Sequence, residues 1–257
     1  AMIAERFGYQ WTFLIGAGIV SSVIFYGFFY LGFTKKEHHI IPRVADAAKN
    51  RAVSVWQFLA ERRVLVVVLL SSLPASIAAI GFLNYFTPIY LHQSGVSEEK
   101  IGQVLMLFGI CLATLGPVIA RFADRAQSKK TPIIVGGFLG GIAFVSFDVL
   151  SGVAAVTFAV LVLGISNCLV LPSQSAYLLR LDITQSFGEG KAMGVFRATS
   201  RIGQMLGPIV FAGLVGFADI DKGVFWFGFI YIVLAVSFFI LADREVPLNS
   251  QQATGKS

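Results

Sequence analysis

The chain has 257 residues, of which 56% are apolar and only 13% charged, with 24 Phe and 26 Gly. An ordinary soluble domain carries roughly a quarter of its residues as charges, so a water-soluble globule, a disordered chain and a disulfide scaffold are excluded. The net charge of +6 would suggest a nucleic-acid partner in a soluble protein, but the placement of the charges gives a different account.

Crossing about 30 Å of hydrocarbon takes roughly 20 apolar residues in a helix. In chain order the runs of that kind are Tyr9–Phe33, Val64–Leu91, Ile101–Ala120, Pro132–Leu150, Val153–Leu179, Ala192–Ala218 and Gly223–Ala242. They are continuous rather than alternating, which predicts helices and not membrane strands. The expected fold is an all-α polytopic membrane protein with seven transmembrane helices. The first run has no basic lead and is too long for a signal peptide. Met2 follows Ala1, which fits a piece of a longer chain.

A polar, basic linker, 34–63, separates that run from the rest and contains His38 and His39. Its last part, Ser54–Arg63, is expected to be an interfacial amphipathic helix with Trp56 and Phe58 toward lipid. The chain thus divides into a single span (1–33), the linker (34–63), a six-span bundle (64–242) and a tail (243–257).

The second run carries Asn84 and Tyr85 near mid-depth, then Pro88. The third contains Leu115-Gly116-Pro117-Val118-Ile119 and leads into a basic loop. The fourth has two overlapping G-x-x-x-G pairs, Gly136/Gly140 and Gly137/Gly141, which let helices approach closely where lipid gives no hydrophobic drive. The fifth holds Ser166, Asn167, Pro172, Ser173 and Gln174. The sixth has Arg197 and Arg201 on one face, then Gly203, Gly207 and Pro208. Polar groups in lipid face a cavity or another helix, so these residues are either solute contacts or interhelical hydrogen-bonding groups. The 17 uncharged residues after Arg201, 202–218, nearly span the core at about 26 Å. Arg201 can therefore snorkel to the edge or face the cavity. Cys111 and Cys168 both lie in apolar runs, where a structural disulfide is not expected.

Segments 34–63, 121–131, 180–201 and the tail after 242 hold 7, 4, 4 and 2 Lys or Arg, 17 of the 20. The positive-inside rule places these in the cytoplasm, with the N-terminus outside and the tail inside. The basic charge then follows from topology, and no nucleic-acid partner is expected.

Leu206-Gly207-Pro208-Ile209-Val210 repeats the pattern at Leu115. The two copies lie in the second members of successive triplets, which cross in opposite directions, as in an inverted repeat. Each Gly-Pro pair is expected to mark a bend.

In this order, four stretches resemble the major facilitator superfamily of secondary transporters. Arg6-Phe7-Gly8-Tyr9-Gln10-Trp11-Thr12-Phe13 resembles the entry to its sixth helix, and the basic linker its central loop. Ala120-Arg121-Phe122-Ala123-Asp124-Arg125, with Lys129-Lys130, resembles the loop joining the second and third helices of a half. Gly194-x-x-Arg197 with Gly203-x-x-x-Gly207-Pro208 resembles its eleventh helix. Ala120, Gln127 and Ser128 stand where the loop motif has Gly, Gly and a basic residue. The resemblance implies helices six to twelve of such a protein, six of them a bundle of two inverted three-helix repeats, in the cell membrane. It implies a small organic solute contacting Asn84, Tyr85, Ser166, Asn167, Gln174 and, if it faces the cavity, Arg201. It further implies a gating loop at Asp124, Arg125, Lys129 and Lys130, bend or packing roles for Gly116, Pro117, Gly203, Gly207 and Pro208, and an N-terminal half as partner. Nothing in the sequence calls for a cofactor, a metal or an enzyme: the His pair has no third ligand, and Gly255-Lys256-Ser257 lacks the rest of a P-loop. The alternative is a seven-span sensor or scaffold of transporter-like fold.

Overall fold

A computed structural model describes residues 9–32, 54–126, 128–217 and 220–242. The expectations on Arg6–Gly8, linker residues 34–53 with His38 and His39, and the tail 243–257 lie outside the described residues, as does the side chain of Asp124.

The chain divides into two units, Ala1–Asn50 and Arg51–Ser257. In the first, α1 (Tyr9–Gly32) is a single helix. Its Ser22 hydroxyl donates back to the Gly18 carbonyl at 2.6 Å, which satisfies the side chain without a neighbour.

The second unit is helical throughout its described length: α2 (Val55–Ala60), α3 (Arg62–Gln93), α4 (Glu98–Thr114), α5 (Gly116–Arg125), α6 (Lys130–Val145, continued as a 3₁₀ turn to Asp148), α7 (Gly152–Leu179), α8 (Asp182–Phe187), α9 (Glu189–Phe217) and α10 (Ile220–Leu241). Among the described residues four helices are long and apolar enough to cross a membrane: α3, α6, α7 and α10. The bent pair α4–α5 makes a fifth if it is one span. In α1 the apolar stretch is the shorter Phe13–Phe29. The helix α9 is not among the four, and its first half carries Glu189, Lys191, Arg197 and Arg201.

Prolines shape the spans differently. In α3 the turns widen to π-helix at Val68–Ser72 and Ala78–Phe86, each ending two residues before a proline, Pro74 and Pro88. A proline ring clashes with the carbonyl four residues back. Those carbonyls, of Leu70 and Asn84, lie inside the two widened segments. At Leu115 the helix breaks, and α5 leaves α4 at 47° with Pro117 in its first turn. The equivalent Pro208 lies inside α9, which runs unbroken. The expected bend at Gly116-Pro117 is thus a break between helices, whereas the helix continues through Gly207-Pro208.

The packing is two-fold in pattern. With α3, α4–α5 and α6 as one triplet and α7, α9 and α10 as the other, the first helix of each packs along the second helix of the other. The third helices, α6 and α10, pack on each other. The α3/α9 and α4–α5/α7 pairs run parallel, whereas α6 and α10 run antiparallel. Ser72 meets Ser200 and Gly81 meets Gly207 along α3/α9. Cys111 meets Gly164 and Gly116 meets Cys168 along α4–α5/α7. Each Leu-Gly-Pro glycine therefore sits at a crossing with the other triplet's first helix.

Missing side chains set the closeness of these crossings. A Cβ on Gly81 would lie 2.6 Å from the Gly207 carbonyl oxygen, and one on Gly207 2.7 Å from the Gly81 nitrogen. The glycines of α6 split their work. Gly136 faces α7 at Val170 and Ser166, whereas Gly137 and Gly141 face α10 at Ala235 and Ile232.

Two cores fill the bundle. One, at the end where α3 meets α4, is aromatic: Phe82, Phe86, Phe144, Phe147, Phe211 and Phe227 are buried in mutual ring contact. The other end holds Phe58, Val64, Val67, Ile133, Tyr177, Phe187, Phe196 and Phe238. This corrects the expectation for α2. Phe58 is 0% exposed and stacks on Phe187 of α8 at 4.6 Å, while Trp56 alone points outward, 80% exposed. In a helix of six residues, positions two apart point to opposite sides, so one aromatic enters the core and the other cannot.

Candidate solute-facing site

Of the six polar residues expected to meet solute, three are buried in the bundle, and each makes a hydrogen bond there. The Ser166 hydroxyl donates across to the Gly136 carbonyl at 2.6 Å. Asn167 donates through Nδ2 to Leu163 in its own helix at 2.9 Å. Gln174 donates through Nε2 to the Ser71 hydroxyl at 2.8 Å, joining α7 to α3. The neighbouring Ser72 pairs with Ser200 of α9 at 2.8 Å. Successive helix residues point about 100° apart, so the adjacent serines of the first π turn tie α3 to two different helices.

The space beside this junction is small. A cavity lined by Ser71, Ile133, Val170 and Tyr231 has a volume of about 10 Å³, at the lower limit for one water molecule. It has no room for an organic solute. Two hydroxyls, Thr87 and Ser173, are buried without a partner among the described residues. Such groups are rare in folded proteins and mark places where water or another molecule completes the structure.

Asn84 and Arg201 behave differently. Both are exposed, on the adjacent helices α3 and α9, and Arg201 donates to the Gln204 side chain at 2.8 Å. Arg201 lies level with Leu73, because Gly203 meets Leu73 and Ser76. Asn84 is eleven residues further along, about 16 Å at the helical rise. The two share a helix pair and stand at different depths. Tyr85 is half-buried and packs against the aromatic core.

The loop end holds the expected gating cluster. Lys129, 4% exposed, donates to the Ala123 carbonyl at 2.8 Å, near the end of α5. Lys130 donates to the Ala242 carbonyl just past α10. Both ammonium groups complement the negative end of a helix dipole. Arg125 is exposed. At the opposite end, the Tyr90 hydroxyl donates to Asp221 at 2.9 Å and accepts from the Gly152 nitrogen at 3.2 Å, tying α3 to the starts of α10 and α7.

Sequence reasoning missed Ser71, Ser72, Ser200 and Tyr90 as bonding groups, and Thr87 as a buried hydroxyl without a partner among the described residues. The Ser71-Ser72 pair, placed just before Pro74 in an apolar run, was the available signal. Cys111 and Cys168 are both free and buried; the Cys168 thiol makes a weak contact to the Cys111 carbonyl at 3.7 Å. Among the described residues no group of His, Cys, Asp or Glu could hold a metal ion.

The family model described as Major Facilitator Superfamily matches residues 1–182, from α1 to the start of α8. An uncharacterized MFS-type transporter of Methanocaldococcus jannaschii is 23% identical over 174 residues, 67% of this chain and 44% of that protein. The MFS transporter of the ascochitine biosynthesis cluster of Didymella fabae is 28% identical over 157 residues, 58% of this chain and 29% of that protein. The matched part of the chain thus spans less than half the length of either relative.

Proposed function

The chain belongs to the major facilitator superfamily, and we propose that it is helices six to twelve of a secondary transporter that moves a small organic solute by alternating access. The observation that carries this reading is the contrast between two sets of polar groups. Ser166, Asn167 and Gln174 are buried and hydrogen-bonded inside the bundle, whereas Asn84 and Arg201, the latter bonded to the half-buried Gln204, stand exposed on α3 and α9. An amide and a guanidinium on a lipid-facing surface cost several kcal/mol. A water-filled cavity closed by a second six-helix half removes that cost. Asn84, with its widened turn and the buried Thr87 hydroxyl one turn on, is the solute contact at one depth, and Arg201 the contact at the other.

The loop after α5 is the gate on this reading. Lys129 and Lys130 are held by helix-end carbonyls, and on this reading Asp124 and Arg125 bond a neighbouring helix in one state and release it in another. The orientation follows from the Lys and Arg distribution, with this loop and the tail on the cytoplasmic side and the protein in the cell membrane. The test is the polypeptide purified from its source membrane. A chain about twice this length, with a second six-helix half, is the expected result, and its solute uptake in liposomes should fall on Arg201→Gln. A chain of seven spans that transports nothing would overturn the reading.

A further inference from the structure

The end of the bundle where α3 turns into α4 carries a cleft that the proposed transport does not use. Its volume is about 430 Å³, and it is lined by Pro88, Ile89, His92 and Gln93 of α3 with Glu98 and Ile101 of α4. That size lies within the range of ligand pockets, and far above the 10 Å³ cavity inside the bundle. The floor is apolar: the proline ring and two isoleucines. The rim carries an imidazole, an amide and one carboxylate.

The walls are held in place. The reversal between the helices is fixed by three backbone hydrogen bonds, Ser94 to Tyr90, Gly95 to His92 and Val96 to Leu91, at 3.0–3.1 Å. It passes through Gly95 at φ +74°, a conformation that glycine adopts without a Cβ clash. Tyr90, between the lining residues, is pinned to Asp221 and Gly152. A pre-formed pocket loses little freedom on binding.

Charge decides the ligand. Glu98 is the only charged residue of the lining. Lys100, two positions on, lies about 200° around the helix and so on the far side, and Asp221 is engaged by Tyr90. Glu99, on the next position, adds a second negative charge, offset in part by the helix dipole. An anion would meet the carboxylates, and a neutral body would cover Glu98 without answering it. We propose that this cleft binds an amphipathic organic cation: a protonated amine paired with Glu98, on a compact apolar body packed against Pro88, Ile89 and Ile101.

The test uses the full-length protein in nanodiscs of zwitterionic lipid and three probes with one aromatic body: 1-naphthylmethylammonium, 1-naphthalenemethanol and 1-naphthylacetate. Equilibrium dialysis should show saturable, one-to-one binding of the ammonium probe, weaker binding of the alcohol and none of the acetate. Glu98→Gln should weaken ammonium binding by about two- to fivefold, as expected for loss of a partly exposed ion pair. Ile89→Trp, which fills the cleft from an exposed position, should abolish it. Lys100→Gln and Asn84→Ala should leave it unchanged. Equal binding of the three probes, no saturable binding, or wild-type affinity in a folded Glu98→Gln variant would each overturn the proposal. Loss on Asn84→Ala with retention on Glu98→Gln would overturn it by placing the cation on the α3/α9 face.

Discussion

At the scale of single residues, the account turns on contacts that are too close for a side chain or too polar for lipid. Gly81 and Gly207 touch backbone to backbone, and backbone cannot move aside as a side-chain tip can. Gly207→Ala should therefore destabilise the protein by about 1–3 kcal/mol, the usual cost of overpacking. Gly109→Ala, in the middle of α4 with nothing within 4 Å of the new Cβ, should be neutral or stabilise by up to ~1 kcal/mol from helix propensity. Thermal unfolding in detergent measures both, and equal melting temperatures would refute the crossing. The Gln174–Ser71 bond makes a second prediction. A double-mutant cycle of Gln174→Leu and Ser71→Ala should give a coupling of about 0.6 kcal/mol, with roughly 1.7 as a ceiling. A coupling of zero would mean that the bond does not form. The residue types at these sites were legible in the sequence, because a glutamine or a serine pair in an apolar run needs a partner. The partners were not, since Ser71 and Gln174 are 103 residues apart and no local pattern connects them.

At the scale of elements, the same Leu-Gly-Pro sequence gives a break in one helix and continuity in another. Pro117 stands in the first turn of a new helix, where its missing N–H costs nothing, whereas Pro208 is tolerated inside α9. Tertiary packing separates the two cases: Gly207 is clamped against Gly81, but a Cβ added at Gly116 would meet only the Cys168 sulfur, at 4.0 Å. The sequence pattern located the motif and could not say which copy would bend. Spin labels at Lys100 and Arg125 test this. Pro117→Ala should lengthen their separation by about 3 Å if the 47° bend relaxes into a straight helix at 1.5 Å per residue. An unchanged distance would show that packing alone holds the bend. The short helix α2 was legible as amphipathic, yet its buried aromatic was assigned to lipid, because Phe187 lies 129 residues away and its stacking with Phe58 is a tertiary event. Phe58→Ala should cost about 3–5 kcal/mol and Trp56→Ala much less. Similar melting temperatures for the two would return both to the surface.

At the scale of the whole molecule, the described parts of the apolar runs are helical, with the third run broken into α4 and α5 at Leu115, because backbone polar groups in lipid must be satisfied within the segment. The two-fold exchange of packing between triplets follows from the duplicated motif, and each copy meets the other triplet's first helix. What the sequence could not separate was a polar group that bonds another helix from one that faces water, because both look like a lone amide in an apolar run. The packed chain draws that line, with Ser166, Asn167 and Gln174 inside and Asn84 and Arg201 outside. The central claim is that this outside is an aqueous cavity and not lipid. The most direct test is thiol accessibility in the full-length protein with Cys111 and Cys168 replaced by Ala. Asn84→Cys is compared with Phe229→Cys, an exposed position on the apolar face of α10. A membrane-impermeant methanethiosulfonate reagent should modify the cysteine at position 84 and leave that at 229 untouched. If both positions resist the reagent in folded protein, the α3/α9 face lies against lipid and the account is contradicted.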